Sequence, residues 1–126
     1  MNRLAWTLAI AVLALSACSK DPEAPTESGV CWHMAQLPDG RVRFNRLAQN
    51  VTSIEKCAVA LEAMRLRFLG MGGSHENIIG AYQGQYLFLG PQGVFIAQHL
   101  NGARYLLLAP TGDGRLAKPG EAAAQR

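Results

Sequence analysis

The stretch VCWHMAQLPDGRVRFNRLA, Val30 to Ala48, decides what kind of sheet this chain builds. Two runs rich in β-formers flank Pro38, Asp39 and Gly40, where proline presets one turn residue and glycine accepts positive φ. The spacing predicts a β-hairpin. Alternation puts Cys31, His33, Ala35 and Leu37 on one face of the first strand and Val30, Trp32 and Met34 on the other. Both faces are mostly apolar, so this strand belongs inside a sheet.

Downstream, Thr52 and Glu55 have the spacing of a capping box ahead of an apolar pattern. Ile54, Cys57, Leu61, Met64 and Phe68 recur at helical spacing, while Glu55, Lys56, Glu62 and Arg65 fall on other faces, and Gly70 is a natural stop. After a glycine-rich connection, NIIGAYQGQYLFLGPQGVFIAQHLNGARYLLLAP (Asn77 to Pro110) carries β-branched and aromatic clusters. Gly84, the run Gly90 to Gly93 and the pair Asn101-Gly102 punctuate them. Strands are expected near 77–83, 85–90, 93–98 and 103–109, with 93–100 suiting either a strand or a short helix. The expected fold is α+β: a mostly antiparallel sheet packed against one main helix, in the order ββα then ββββ.

Upstream of this unit, Met1 to Ala17 hold one basic residue, Arg3, an apolar core from Leu4 to Leu15, and small residues at Ser16 and Ala17. That is the layout of an export signal, and its apolar run is shorter than the ~20 residues a spanning helix needs. The residues LSAC, Leu15 to Cys18, resemble the lipobox of bacterial lipoproteins. The resemblance covers only the first eighteen residues or so. It implies a diacylglyceryl group on Cys18, cleavage before it, acylation of the new amino terminus and, with Ser19 in the next position, sorting to the outer membrane facing the periplasm. One acyl chain holds a protein only marginally, whereas several together hold it firmly. Further along, CW, EKCA with its following LE and R, and GAYQGQYLF are similar to small bacterial lipoproteins to which no activity is assigned, so this second likeness implies no fold, site or ligand.

The chain has three cysteines. Cys57 lies on the inward stripe of the helix and Cys31 in a strand that the helix can cover, so the two are expected to form a disulfide in an exported, oxidising setting. Cys18 is then the odd cysteine, committed to lipid. The organisation that follows is a signal peptide over 1–17, the lipidated cysteine and a flexible tether over 18–28, a single domain over 29–116, and a disordered tail over 117–126. The tether reading rests on SKDPEAPTES, Ser19 to Ser28, which holds two prolines, several charges and no large apolar residue.

Of the 126 residues, 109 remain after the signal, enough for one small domain. The formal charge of +3 falls to +2 when Arg3 is removed, too little to argue for nucleic acid. The expected partners are the membrane, through the anchor, and an envelope protein or cell-wall component. Arg41, Arg43 and Arg46 offer a surface for such contact, and with charges at that density they also protect an edge strand against aggregation. Tyr82, Tyr86, Phe88, Phe95 and Tyr105 fit either core packing or a groove for a sugar or peptide.

Chemistry is harder to find. Ser74, His75 and Glu76 follow one another in GMGGSHEN, so extended backbone points them in alternating directions, whereas a triad is assembled from distant positions. The same loop follows a helix and lacks the lysine of a phosphate-binding loop. His33, His75 and His99, or Cys31 with Cys57, offer metal-binding groups, but neither cysteine has the close partner of a structural zinc site. The sequence therefore points to a non-enzymatic envelope accessory or interaction module, with no catalytic residue, metal or cofactor expected. A sugar or peptide binder is the alternative reading, and a small hydrolase at Ser74 and His75 a third.

Overall fold

In the computed structural model, which describes residues 22–73, 77–113 and 115–120, Val30 to Ala48 forms the expected hairpin. Strand β1 (Cys31–Gln36) pairs antiparallel with β2 (Val42–Ala48), with Met34 opposite Phe44. The turn closes through Leu37 N–H to the Arg41 carbonyl at 2.8 Å and Gly40 N–H to the Leu37 carbonyl at 3.0 Å, with Gly40 at φ 85°. Helix α1 (Ile54–Gly70) follows, then β3 (Ile78–Tyr82), β4 (Gln85–Gly90), β5 (Gly93–Ala97), β6 (Tyr105–Pro110) and β7 (Leu116–Ala117).

The fold is α+β, with one antiparallel sheet ordered β2-β1-β3-β4-β5-β6-β7 and one helix among the described residues. Strand β1 lies inside the sheet between β2 and β3, as its two apolar faces require. The segment that suited either strand or helix is strand β5. Strand β7 was not expected, because two residues are too short to show alternation. Its turn is closed by Thr111 N–H to the Arg115 carbonyl at 3.0 Å. In that turn the Thr111 hydroxyl donates to Asp113 and is the main cause holding its carboxyl below the usual range.

The helix starts one residue later than the sequence suggests. Ser53, in extended backbone, is the N-cap, and its hydroxyl accepts from Lys56 N–H at 3.2 Å, while Thr52 Oγ1 accepts from the Lys56 ammonium at 2.9 Å. With lysine three residues after the cap, the reciprocal half of a capping box has no carboxylate to make it. At the other end Gly70 is the last helical residue, and the left-handed position falls to Gly72 at φ 78°.

The helix lies along one face of the sheet. Leu61 is fully buried directly over Gly80 of β3, where a Cβ would sit 2.3 Å from Leu61 Cδ1 and 2.7 Å from the Trp32 carbonyl oxygen. Glycine at this position is therefore a packing requirement: any side chain would lift the helix off the sheet. Ile78, Leu87, Leu89, Val94 and Leu108 complete this layer.

Two residues assigned by type to the outer helix faces are inside. Arg65 donates to Glu62 through Nε at 2.9 Å and Nη2 at 2.6 Å, and the two side chains are only 8% and 12% exposed. A carboxylate and a guanidinium can be buried together because the bidentate geometry satisfies both. Removing one partner costs the other these charge-assisted bonds.

The opposite face carries Met34, Ala81, Tyr86, Phe88 and Ala97, with Trp32, Phe44, Ile79 and Phe95 half-buried around them. Residues 22–28, expected to be part of a tether, lie on this face. Ala24 is buried, the Pro22 carbonyl accepts from the Tyr86 hydroxyl, and the Pro25 carbonyl accepts from Gly84 N–H at 2.8 Å. Glu27 accepts two bonds from Arg46 at 2.9 and 3.1 Å. The β3–β4 turn clasps the same segment: Gln83 and Gly84 both have positive φ, as a tight two-residue hairpin turn requires, and Gln83 Oε1 accepts from Gly29 N–H at 2.9 Å. The folded unit therefore includes residues from at least Pro22 through β7, beyond the expected limits of 29 and 116 at both ends. Cys18 and the signal lie outside the described residues.

Glu62→Leu, which removes the carboxylate bonded to the buried Arg65 guanidinium, is expected to destabilise the domain by about 3–5 kcal/mol in urea unfolding. Glu62→Leu with Arg65→Met is expected to recover most of that loss. A single variant as stable as the parent would show that the pair is solvated.

Candidate functional site

The two later cysteines meet as the helical stripe and the strand pattern predict. Cys31 and Cys57 form a disulfide with Cα atoms 5.3 Å apart, both side chains fully buried, bridging the start of β1 to the first turns of α1. The surroundings are apolar, so this is a structural link. Among the described residues its neighbours are apolar or aromatic: Leu61, Tyr82 and Ala58 share its layer.

The three arginines proposed as a contact surface are not brought together. Arg41 lies in the turn before β2, its guanidinium bonded to Asp39. Arg43 pairs with Ala35 and Arg46 with Trp32, so alternation sends them to opposite faces of the sheet. Arg46 stacks on the Trp32 ring, its guanidinium carbon 5.2 Å from the centroid, while ion-paired with Glu27. Its charge is used within the fold. Trp32 Nε1 is buried with no hydrogen-bond partner among the described residues.

The five aromatics are divided too. Tyr82 faces the helix and its hydroxyl donates to the Val51 carbonyl at 2.6 Å. Tyr86 and Phe88 lie on the other face with ring centroids 6.5 Å apart, Phe95 packs beside them, and Tyr105 is exposed on β6. Tyr105 and Tyr82 each line a smaller, separate depression, whereas Phe88 and Phe95 border one groove together. It has a volume of about 580 Å³ and is lined also by Asn77, Ile79, Gln92 and Arg104. Arg104 covers the Phe88 ring with its guanidinium carbon 3.6 Å from the centroid, within cation–π range. A second depression of about 640 Å³, bordered by His33, Gln36 and Phe68, shares Asn77 to Ile79 with the first. The groove thus offers an amide, a guanidinium and ring edges, groups that bind and orient; the described residues lining it include neither a nucleophile nor a general base.

Sequence reasoning did not anticipate the pairing of Arg104 with Phe88. One sits in a loop and the other on a strand two hairpins away, so no local period links them. Among the described residues no cluster of three metal-ligating side chains occurs. His33 lies beside Phe68 with ring centroids 6.3 Å apart, whereas His99 lies in the loop after β5. Ser74, His75 and Glu76 lie outside the described residues. No family model matches this chain, and no curated protein and no solved structure is significantly similar to it.

Cys57→Ser is expected to lower stability by about 3–4 kcal/mol, the chain-entropy value for a loop of this length. Thermal melting of oxidised parent and variant checks it, and coincident curves would contradict a structural role for the bridge.

Proposed function

We propose that this chain is a bacterial lipoprotein, exported to the cell envelope and anchored by lipid at Cys18, whose small domain acts there as a non-enzymatic accessory or interaction module. The observation that carries the reading is the sequence LSAC closing an apolar run preceded by Arg3. The Cys31–Cys57 disulfide supports it twice: buried disulfides belong to oxidising compartments, and the pairing leaves Cys18 as the cysteine without a sulfur partner. Ser19 favours the outer membrane, facing the periplasm. The domain's partner is an envelope protein or cell-wall component.

Cys18→Ser is expected to abolish labelling by radioactive fatty acid and to move the protein from the membrane fraction to the soluble one. Labelling that persists in the variant would refute the assignment.

A second reading is favoured by one feature, the groove between Phe88, Phe95 and Arg104. Its aromatic floor and guanidinium suit a sugar or an extended peptide, the rings packing on the apolar face and the arginine bonding to oxygen acceptors. If glycan or peptide arrays yield a ligand, Arg104→Ala is expected to weaken it at least ten-fold, about 1.4 kcal/mol. Unchanged affinity in that variant would remove the groove as the binding site.

A further inference from the structure

The lipid reading fixes one end of a distance and the fold fixes the other. Cys18 would hold the acyl chains, and Pro22 is held on the sheet by the Tyr86 hydroxyl. Only Ser19, Lys20 and Asp21 lie between them. Four residues of fully extended chain span at most about 14 Å, so the point where Pro22 docks cannot stand further than that from the lipid attachment. The ten-residue tether read from composition would have allowed the domain to turn freely.

The docking point is on the face away from the helix. Phe44 lies 6.3 Å and Phe88 6.5 Å from the Tyr86 ring, centroid to centroid, and Arg104 covers Phe88. Tyr86 and Phe88 are themselves buried; what this face presents outward is the exposed Arg104 beside the half-buried rings of Trp32, Phe44 and Phe95, a cation with aromatic edges of the kind that sits well at the level of lipid headgroups and phosphates. The helix is on the other side of the sheet, and Val59, 56% exposed, faces away from it into solvent.

We infer that the sheet face carrying Phe44, Phe95 and Arg104 is held against the headgroup layer of the membrane by the three-residue link to Cys18, with the helix turned outward. The inference rests on the lipidation proposed above. The docked segment 22–28 sets the orientation: it shortens the free tether and chooses the face from which the chain leaves. The face of α1 and the ends of the sheet then remain accessible to a partner in the surrounding space.

Trp32, on this face, is the sole tryptophan after residue 17, so the mature protein carries its own reporter. The acylated protein, its Cys18 modification verified by mass spectrometry, is reconstituted into vesicles of phosphatidylethanolamine and phosphatidylglycerol containing a headgroup-spin-labelled lipid. Trp32 fluorescence is expected to be quenched several-fold more strongly than that of Trp32→Phe with Val59→Trp, which reports from the outer side of the helix. Equal quenching at the two positions, or stronger quenching at 59, in protein shown to be acylated overturns the orientation and leaves the anchor standing. An unmodified Cys18 overturns both. Ala24→Asp adds a test of mechanism. A carboxylate at this buried position expels the segment and frees the chain back to Val30, a reach of about 40 Å. Trp32 quenching is then expected to fall to the level at 59, with circular dichroism confirming that the sheet persists. Quenching unchanged in that folded variant would show that tether length does not set the orientation, and the inference would fall.

Discussion

Everything in this fold depends on how closely α1 lies on β1 and β3. Leu61 rests on the bare backbone of Gly80, and one turn earlier Cys57 is bonded through sulfur to Cys31. The two contacts constrain different things. The disulfide fixes where the helix begins along the strand, and the glycine fixes how deep it sits. Without the bond the seam would depend on packing alone; without the glycine the helix would have to rise and the bond would be made across a wider gap. A domain with a stability of about 5–15 kcal/mol cannot lose either contact cheaply.

The seam also explains why a charge pair is tolerated in the interior. Cys57, Leu61 and Arg65 are spaced four residues apart and share one helix face, so a helix held tight at the first two carries the third inward with it. Glu62, three residues before Arg65, supplies the carboxylate that makes this possible. Burial of such a pair contributes little net stability, although removing either partner alone costs several kcal/mol.

Much of this was legible in the sequence. The helix, the first hairpin and the four strands after it follow from two periods, 3.6 and 2, and the cysteine pairing follows from placing both residues on facing surfaces. What was not legible is of three kinds. By residue type Glu62 and Arg65 fall on faces other than the apolar stripe, although the spacing from Cys57 and Leu61 puts Arg65 on it. Strand β7 is too short to have a period. The docking of residues 22–28 depends on a small apolar side chain, Ala24, on backbone carbonyls of Pro22 and Pro25 and on the pairing of Glu27 with Arg46, contacts that no local pattern advertises. Arg43 and Arg46 are close in sequence, yet the alternation of β2 sends their side chains to opposite faces of the sheet. The groove beside Phe88 joins segments with no local relation, so only the folded chain reveals it.

The strand order has a consequence for how the chain acquires its shape. Strands β3 to β6 are joined by short connections and pair with their immediate successors, so this meander can zip up from local encounters. Strand β1 cannot: its inner neighbour is β3, and Cys31 waits for Tyr82 while the whole helix intervenes. Closing that long loop is the entropically expensive event, and pairings remote in sequence slow the search for the native state. A covalent link between Cys31 and Cys57, once made, shortens the effective loop by tying β1 to the helix that leads directly into β3. The bridge therefore acts on the rate of assembly as well as on the finished domain, turning the one distant pairing of the sheet into a near one.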